Sequence, residues 1–489
     1  MNFNKKLAVA VSGAVLLMAG QVALADSATD IVDALVMKGV LTEEEGRLIT
    51  KGHTSKTNVT PVLKEKDKNF TIESPNGENS ISLTGRMHFD GRFYDYNQDD
   101  SAAIATASSI GADTFDIRRA RIGAKYKFGK YYSGEVTTNL VGTSSSADVL
   151  DVAYLDVAWF EKAKFRIGQF KMPFSLEQLT SSNNIDFIER SFVDSMIAAK
   201  ERGIQISGDP VPGMTYALAV SNGNISTGST ANFGSETDNR VDNKDIIGRV
   251  TVNFAEMMKN KEAVFHLGGA FSQGDIPGST APLGSNSSTT FRTEARGLTY
   301  FTQPTINATN TSGVDKTIDR RRMGLEFAVA SGPFKLQSQY LKVDHEFAGM
   351  SADVKTYYIE GLWTLTGEKH ADRYKSGAFG GIKPNKEFDA NTFTGGAWEI
   401  GARLSGLDLN DFKNLTSVSG LGYTAGAGAA SVKAYTLGVK FLPNMNSRFM
   451  LDYVNTDFED LIGSTTTLTV NGRQESQEKA VLFRSQFMF

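Results

Sequence analysis

A hydrophobic period of two residues runs through most of this sequence and constrains its fold more than any other feature. From Ile81 to Tyr94 the odd positions carry apolar residues or glycine, and the even positions carry Ser, Thr, Arg, His, Asp and Tyr. Because successive side chains of a β-strand point to opposite faces, this segment predicts a strand with one apolar and one wet face. The same alternation recurs in the segments 115–128, 149–160, 213–222, 244–254, 318–330, 333–344, 355–365, 396–406, 433–442, 446–454 and 480–489.

Two folds produce strands of this kind. In a soluble sandwich the apolar faces pack together, whereas in a membrane barrel they meet lipid and the polar faces line a lumen. The strands are about ten residues long or more, which is the length that a tilted strand needs to cross a bilayer. Aromatic residues lie near strand ends, tight and long connections alternate, and the chain stops at the apolar Phe489. We therefore predict an all-β transmembrane antiparallel barrel of about 16 strands, wide enough for an aqueous channel.

The N-terminus has the pattern of a cleavable secretory signal. Lys5 and Lys6 precede an apolar stretch, and Ala23-Leu24-Ala25 is a small-residue cleavage site, which predicts a mature chain beginning at Asp26. A barrel with such a signal is expected in the bacterial outer membrane. The predicted domains are a signal peptide (1–25), a periplasmic helical segment with linker (26–70) and the barrel (71–489).

Residues 28–50 are the one helical stretch that the sequence predicts. Ile31, Ala34 and Leu35 follow a helical spacing, and Thr42 and Glu45 have the spacing of a capping box for a second short helix. Three interpretations stay open for this segment: a small periplasmic plug, a self-association element, or a simple extension.

The composition excludes several classes of function. The chain has no cysteine, so it holds neither a disulfide nor a thiolate metal site. Its formal net charge of −4 argues against a nucleic-acid partner. No phosphate loop, metal cluster or dinucleotide motif is present, so no cofactor is expected. The expected partners are outer-membrane lipid, lipopolysaccharide and small anions.

The wet faces of the predicted strands carry more basic than acidic residues. The planar donor fork of arginine matches oxyanions, and a series of weak cationic sites would pass anions along a lumen. The candidate pathway residues are Arg86, Arg92, Arg119, Arg121, Lys125, Lys127, Arg166, Lys171, Arg190, Arg320, Arg322 and Arg403. Any of them could instead brace the wall by pairing with a carboxylate. The lumen-facing acids are Asp90, Glu135, Asp156, Glu326, Glu360, Glu399 and Asp452.

Three connections are long enough to matter for function. The loop 171–200 is rich in apolar residues, which favours a loop folded into the bore as the constriction over one packed on the rim or at a subunit contact. Residues 366–395 form an unusually long periplasmic turn that carries many basic residues. The Ser/Thr/Asn/Gly-rich loop 273–317 suits either adhesion or a solvated surface loop.

Four motifs carry a family resemblance. The runs Arg166–Glu177, Glu189–Ser191, Tyr216–Gly223 and Gly396–Leu404 resemble the phosphate-selective porin O and P family. The resemblance implies a sixteen-stranded trimeric porin, narrowed by inward-folded loops and a periplasmic turn. It also implies passage of phosphate or polyphosphate along an arginine ladder with lysines at the constriction.

Arg86, Arg119, Arg121 and Arg403 lie on strands that could supply this ladder. We assign no residues to the constriction lysines, because the long loop 273–317 contains a single lysine, Lys316, near its end.

The leading hypothesis is therefore a passive porin for small hydrophilic solutes that prefers anions. The alternatives are a non-selective general diffusion porin, an adhesin and a barrel enzyme. An enzyme would need a nucleophile and a base side by side, and none of the five histidines has a serine and a carboxylate in an obvious motif. Two of them, His88 and His266, face the lumen by their position in the alternation.

Overall fold

A computed structural model describes most of the chain. The described residues are 25–49, 60–66, 69–96, 112–141, 150–222, 244–277, 290–302, 305–307, 317–347, 350–414, 422–424, 426–465, 468–470 and 473–489. The signal peptide falls almost entirely outside these ranges and stays a prediction. The chain divides into two compact units, Met1–Leu83 with Ala124–Ser133, and Thr84–Gly123 with Gly134–Phe489.

The first unit contains the predicted helical segment. A helix spans Ala25–Met37, and a second helix spans 43–49. The capping box is present, because Glu45 N donates to Thr42 Oγ1 at 3.2 Å and Thr42 N donates to Glu45 Oε2 at 2.9 Å. The Glu45 carboxylate accepts hydrogen bonds from Thr42 N and from Thr42 Oγ1, and these two bonds lower its pKa. No helix in the described part of the chain is long and apolar enough to cross a membrane.

Sixteen long antiparallel strands belong to one sheet. In chain order, β1 to β16 are Ser80–Asp95, Thr114–Phe128, Tyr132–Asn139, Leu150–Phe160, Ala163–Lys171, Lys200–Gly208, Met214–Ser221, Asp245–Asn253, Ala263–Pro277, Thr317–Ser331, Phe334–Phe347, Met350–Thr364, Ala397–Asp408, Ala427–Leu442, Ser447–Ile462 and Gln477–Met488. The last strand pairs with the first, from Lys479 opposite Asp95 to Met488 opposite Arg86. The sheet is therefore a closed barrel, as predicted.

The barrel has its apolar residues on the outside. On β10, Met323 and Leu325 are exposed, whereas Arg320, Arg322 and Glu326 are buried. The same alternation holds on β14 and β15. A soluble sandwich would show the reverse, so the membrane-barrel prediction is confirmed.

Three connections contribute buried residues to the second unit. The loop between β5 and β6 carries a short helix, Leu176–Leu179, and a 3-10 helix, Phe192–Ser195, and it buries Phe174, Leu176 and Ile188. The turn between β12 and β13 carries the 3-10 helix His370–Arg373. The third connection lies between β9 and β10.

That third connection differs from one expectation. Within its described part, Thr290–Arg292 pairs with Thr299–Thr302 as a hairpin. Phe291, Leu298 and Tyr300 of this hairpin are almost fully buried. Residues 290–302 are therefore not the solvated surface loop that the polar composition of 273–317 suggested, because their apolar side chains pack into the protein.

Candidate functional site

The loop 172–199, between β5 and β6, is held by the inner faces of distant strands. Asp452 of β15 accepts a hydrogen bond from Ile188 N at 2.6 Å, and Arg484 of β16 donates to Ile188 O. Arg448 donates to Ile185 O at 3.2 Å. These bonds satisfy backbone groups that would otherwise be buried without partners. The loop is therefore fixed inside the barrel, which is where the sequence predicted the constriction.

Glycines on the wall make room for the tip of this loop. The ring of Phe187 lies against Gly438 and Gly401, where an added Cβ would come within 2.9 Å and 3.2 Å of the ring. Next to it, Asp186 accepts a hydrogen bond from Lys335 at 2.5 Å and lies 3.6 Å from Lys440. The tip of the loop is therefore held against the wall by the fit of the Phe187 ring and by the ion pairs of Asp186.

The loop also contacts the turn 365–396 between β12 and β13. Leu176 of the loop and Phe379 of the turn share one buried apolar cluster with Val264 and Ala328. Tyr374 of the turn is hydrogen-bonded to His266 Nδ1 at 2.6 Å. The long turn that the sequence predicts to be periplasmic therefore packs inside the barrel beside the loop.

Among the described residues of β8, β10, β13 and β16, five arginines are buried and ion-paired, and we call these five the paired arginines. Arg320 and Arg322 share Asp245, at 2.8 and 3.1 Å. The others bind carboxylates at 2.6 to 2.7 Å. The paired arginines are Arg249, Arg320, Arg322, Arg403 and Arg484.

This burial bears on three predicted pathway residues. Arg320 and Arg322 are 1 % exposed and Arg403 is 4 % exposed. Arg322 and Arg403 also donate to the loop carbonyls Met196 O and Glu189 O, whereas Nε and Nη1 of Arg320 and Nε of Arg403 have no hydrogen-bond partner among the described residues. Each of these three arginines is therefore paired with a carboxylate inside the barrel, and their place in the ion pathway stays a prediction.

Two further predicted pathway residues are also engaged with carboxylates. Arg166 binds Asp156 through two hydrogen bonds, at 2.7 and 2.8 Å, and lies over the ring of Tyr154. Arg92 is 4 % exposed and bonds to Asp90 and Glu189, both at 2.8 Å. Arg166 and Arg92 are thus neutralised within the wall.

The remaining cations near the loop form a group that we call the basic cluster. Its members are Arg86, Arg119, Arg121, Lys171, Arg190 and Lys200. The loop supplies Arg190, and the other five lie on β1, β2, β5 and β6. Lys171 and Arg190 both donate to Thr180 O, and Arg121 and Lys200 share Asp151. The structure therefore brings together five predicted pathway residues and Lys200, which the sequence placed at the end of the predicted constriction loop.

Carboxylates are scarce in this cluster. Arg121 and Lys200 share Asp151, and Arg190 lies 3.7 Å from Asp194. Arg86 donates to Ser182 Oγ at 2.7 Å, and Arg119 NH1 lies 3.5 Å from His88 Nδ1.

Lys171 is bonded to two carbonyl oxygens, those of Gln178 and Thr180. Among the described residues, no carboxylate forms an ion pair with Arg86, Arg119 or Lys171. The cluster therefore carries an excess of positive charge.

A slip in the alternation of β2 brings a further arginine inward. Phe115 and Ile117 are exposed at odd positions, whereas Ile122 is exposed at an even one. Arg118 and Arg119 lie where the alternation shifts, and both face inward, as in a β-bulge. Arg118 Nε donates to Glu189 at 2.8 Å. The sequence prediction missed Arg118, although the sequence has apolar residues at odd positions before it and at even positions after it.

Two carboxylates of the loop differ in ionisation. Burial opposes the charge of Glu189, but Arg118 and Arg92 outweigh it and hold its pKa well below the ordinary value. For Glu177 burial dominates and raises the pKa to about 7. The Glu177 carboxyl group accepts hydrogen bonds from Ser191 N at 2.9 Å and Ser191 Oγ at 2.7 Å.

The other candidates fall outside this arrangement. Lys125 and Lys127 belong to the first unit and are exposed there. The two histidines that the sequence placed on the lumen face, His88 and His266, are fully buried, and His88 is hydrogen-bonded to Asn183 at 3.2 Å. No group of three or more His, Asp or Glu side chains that could hold a metal ion occurs among the residues described.

Comparison with known proteins gives one family and several relatives. Residues 81–489 match the family described as phosphate-selective porin O and P. Porin O of Pseudomonas aeruginosa is 24 % identical over 449 residues, covering 88 % of this chain and 92 % of that protein.

Among solved structures, the outer membrane channel DcaP of Acinetobacter baumannii has a TM-score of 0.46 and 9 % identity, covering 84 % of this chain and 98 % of that one. OmpT of Vibrio cholerae has a TM-score of 0.46 and 10 % identity, with the same coverage.

Proposed function

Because this chain belongs to the phosphate-selective porin O and P family and is an outer-membrane porin, we propose that its lumen prefers anions, and in particular oxyanions such as phosphate. The observation that carries this proposal is the basic cluster beside the inward-folded loop. Arg86, Arg119 and Lys171 have no carboxylate partner within the described residues, so their charge is available to an ion.

The donors of the cluster suit a transient oxyanion. An ammonium group has three donors, and the two carbonyls that bind Lys171 leave one of them free for a solute. A guanidinium group has five donors, and Arg86 and Arg119 each use few of them on the protein. An anion would gain charge-assisted hydrogen bonds here and give up water.

Release is as important as binding for conduction. The cluster spreads its charge over six side chains on four strands and one loop, so an anion moves between neighbouring weak sites rather than into one deep site. The cations also repel one another, which favours an occupying anion, and Asp151 limits how tightly it is held. We propose passive diffusion on this basis.

We also propose the assembly that the family resemblance implies, a homotrimer in contact with outer-membrane lipid and lipopolysaccharide. The signal peptide and the division of the chain at residues 25 and 70 belong to the same proposal. Separation of the purified protein by size in mild detergent, before and after heating, would test the trimer.

The test of anion preference is the reversal potential of the purified protein in a planar bilayer with a KCl gradient. We expect an anion-selective potential, followed by a reduced chloride current when millimolar phosphate is added. A cation-selective or neutral potential would overturn the proposal.

A non-selective general diffusion porin is the second candidate function. The formal net charge of −4 and the neutralised paired arginines favour it. Under this alternative the same bilayer experiment gives a potential near zero and no effect of phosphate.

A further inference from the structure

Two small residues lie side by side on the lipid-facing side of β12 and β13. Gly361 is paired with Ala402, which is exposed, and a Cβ added to Gly361 would meet no atom within 4 Å. The next residues in this row are Leu336 of β11 and Leu437 of β14, and both are exposed. The small residues between the two leucines leave a groove of about 870 Å³ in the outer wall.

An apolar surface continues from this groove toward the long turn 365–396. Ile400 and Trp398 follow Ala402 on the outward face of β13, and they pair with Val439 and Phe441 of β14. The rings of Trp398 and Phe441 are stacked, with their centroids 4.5 Å apart. We call these four residues, Ile400, Trp398, Val439 and Phe441, the apolar track.

The turn carries the apolar surface past the ends of the strands. The ring of Phe388 packs edge-on against Phe441 with 5.3 Å between centroids, and Phe393 packs edge-on against Phe388 at 6.1 Å. Phe393 is 82 % exposed, and its φ of +52° is a left-handed conformation that favours glycine. The turn therefore holds an aromatic ring outside the wall at a position where glycine would fit the backbone better.

Backbone hydrogen bonds fix the part of the turn that carries these rings. Phe388 N donates to Pro443 O of the neighbouring turn, and Asp389 N donates to Thr394 O, both at 2.8 Å. The Asp389 carboxylate accepts a hydrogen bond from Asn391 N at 2.8 Å. The two phenylalanine rings are thus held in continuity with the apolar track.

We infer that the groove and the apolar track bind one acyl chain of a phospholipid, with Phe388 and Phe393 at the level of its headgroup. Aromatic side chains of membrane barrels concentrate at the boundary between hydrocarbon and water, whereas the groove lies farther from the strand ends. Trp398 and Ala402 are four residues apart, which corresponds to about 13 Å along a strand. Half the hydrocarbon core of a bilayer is about 15 Å thick, so an acyl chain that starts at the rings ends in the groove.

The position of this surface identifies the occupant. The outer wall of the barrel faces lipid, and the groove and the apolar track belong to that wall. The turn 365–396 lies at the end of the barrel that the sequence predicts to be periplasmic, where phospholipid rather than lipopolysaccharide forms the leaflet. The site is separate from the lumen and does not depend on the anion preference.

The chain reports on this site through its own tryptophans. Of its three tryptophans, Trp363 lines the groove and Trp398 belongs to the apolar track, so Trp159→Phe leaves fluorescence from the site alone. The delipidated full-length Trp159→Phe protein is titrated in detergent micelles with phosphatidylglycerol whose acyl chains carry bromine, which quenches tryptophan fluorescence. We expect quenching that saturates at one lipid per chain.

Gly361→Leu fills the groove, and Gly248→Leu is the matched control. Gly248 faces outward on β8, and a Cβ added there meets Leu218 at 3.9 Å, which is an ordinary contact. We expect Gly361→Leu to raise the lipid concentration for half-maximal quenching about tenfold, as for the loss of about two buried methylene groups. Gly248→Leu should leave this concentration unchanged. Phe393→Gly, which lies outside the strands and relieves the backbone, should raise it by a smaller factor.

Three results would overturn the site. Quenching that grows in proportion to the lipid without saturating would mean that bulk lipid alone covers the wall. Equal shifts in the two leucine variants would mean that the groove does not hold the acyl chain. An absence of quenching in the assembled protein would mean that a second copy of the chain covers this face.

Discussion

The arginines of the basic cluster differ from the paired arginines in how far a carboxylate balances their positive charge. Arg322 is 1 % exposed and divides its donors between Asp245 and Met196 O. Arg119 also faces inward and is 7 % exposed, yet its hydrogen-bond partner among the described residues is the His88 ring, at 3.5 Å, and not a carboxylate. An inward-facing arginine is therefore a brace where a carboxylate neutralises it and a candidate ion site where none does.

The difference follows from where the loop 172–199 docks. Its backbone carbonyls and its carboxylates meet the paired arginines, and this contact removes water from them. On the side of the basic cluster the loop offers hydroxyl, amide and carbonyl groups, as Ser182 does for Arg86. These groups fix a cation in place without cancelling its charge.

The largest effect should come from breaking a pair. Asp245→Asn leaves Arg320 and Arg322 buried without a counter-charge, which costs about 3–5 kcal/mol for a buried ion pair that loses one partner. We expect a clear loss of thermal stability, measured by the temperature at which the barrel unfolds in detergent.

Asp151→Asn is the matched control in the basic cluster. Asp151 pairs with the partly exposed Arg121 and Lys200, so its loss should change stability little and increase anion selectivity. Equal destabilisation by the two substitutions would contradict the distinction between the two groups.

The next largest effect is expected in the block of the chloride current by phosphate. Arg119→Gln removes a cation without an ion-pair partner among the described residues, and we expect the phosphate concentration for half-block to rise about tenfold, as for the loss of one hydrogen bond to a charged group. Arg166→Gln provides the comparison, because Arg166 is paired with the Asp156 carboxylate through two hydrogen bonds, at 2.7 and 2.8 Å. If Arg166→Gln shifted block as strongly as Arg119→Gln, ion-paired arginines would also belong to the pathway.

A smaller effect should appear in the pH dependence of stability. Glu177 connects the two groups, since its carboxylate lies 3.7 Å from Arg403 and its carbonyl accepts a hydrogen bond from Arg190 at 3.3 Å. Burial raises its pKa from 4.5 to about 7. A raised carboxyl pKa means that the folded state binds the proton more tightly, so stability falls as pH rises from about 4.5 to about 7.

Glu177→Gln should remove this part of the pH dependence. The measurement is thermal unfolding of the wild type and the variant across that pH range. Parallel curves for the two proteins would show that Glu177 does not titrate there.

The sequence predicted the barrel well because alternation is local information. A two-residue period needs no knowledge of partners, and the strand from Ile81 to Tyr94 was found from it alone. The same signal would have located Arg118, since the apolar parity changes between Ile117 and Ile122. Arg118 was missed because the prediction placed the apolar residues of the whole strand at even positions.

The state of each arginine was not predictable in this way. Whether the charge of Arg403 is balanced by a carboxylate depends on Glu294, which is 109 positions away in the chain. A folded loop brings Glu294 to this arginine. Asp245 likewise meets Arg320 across 75 positions. Such partners follow from how loops pack, and no spacing within a strand encodes them.

The smallest effect is expected outside both groups. Lys125 and Lys127 are exposed in the first unit and form no ion pair with any carboxylate in the described part of the chain. Exposed charges are screened by salt over a Debye length of about 10 Å at 0.1 M. Replacing both with Gln should therefore change the anion-to-cation permeability ratio, which is obtained from the reversal potential, by less than about twofold.

The control for the double lysine variant is the same measurement at ten times lower salt, where screening weakens and a larger change in the ratio is expected. An effect at 0.1 M as large as that of Arg119→Gln would mean that these lysines face the ion path, and that unpaired cations conduct in both units.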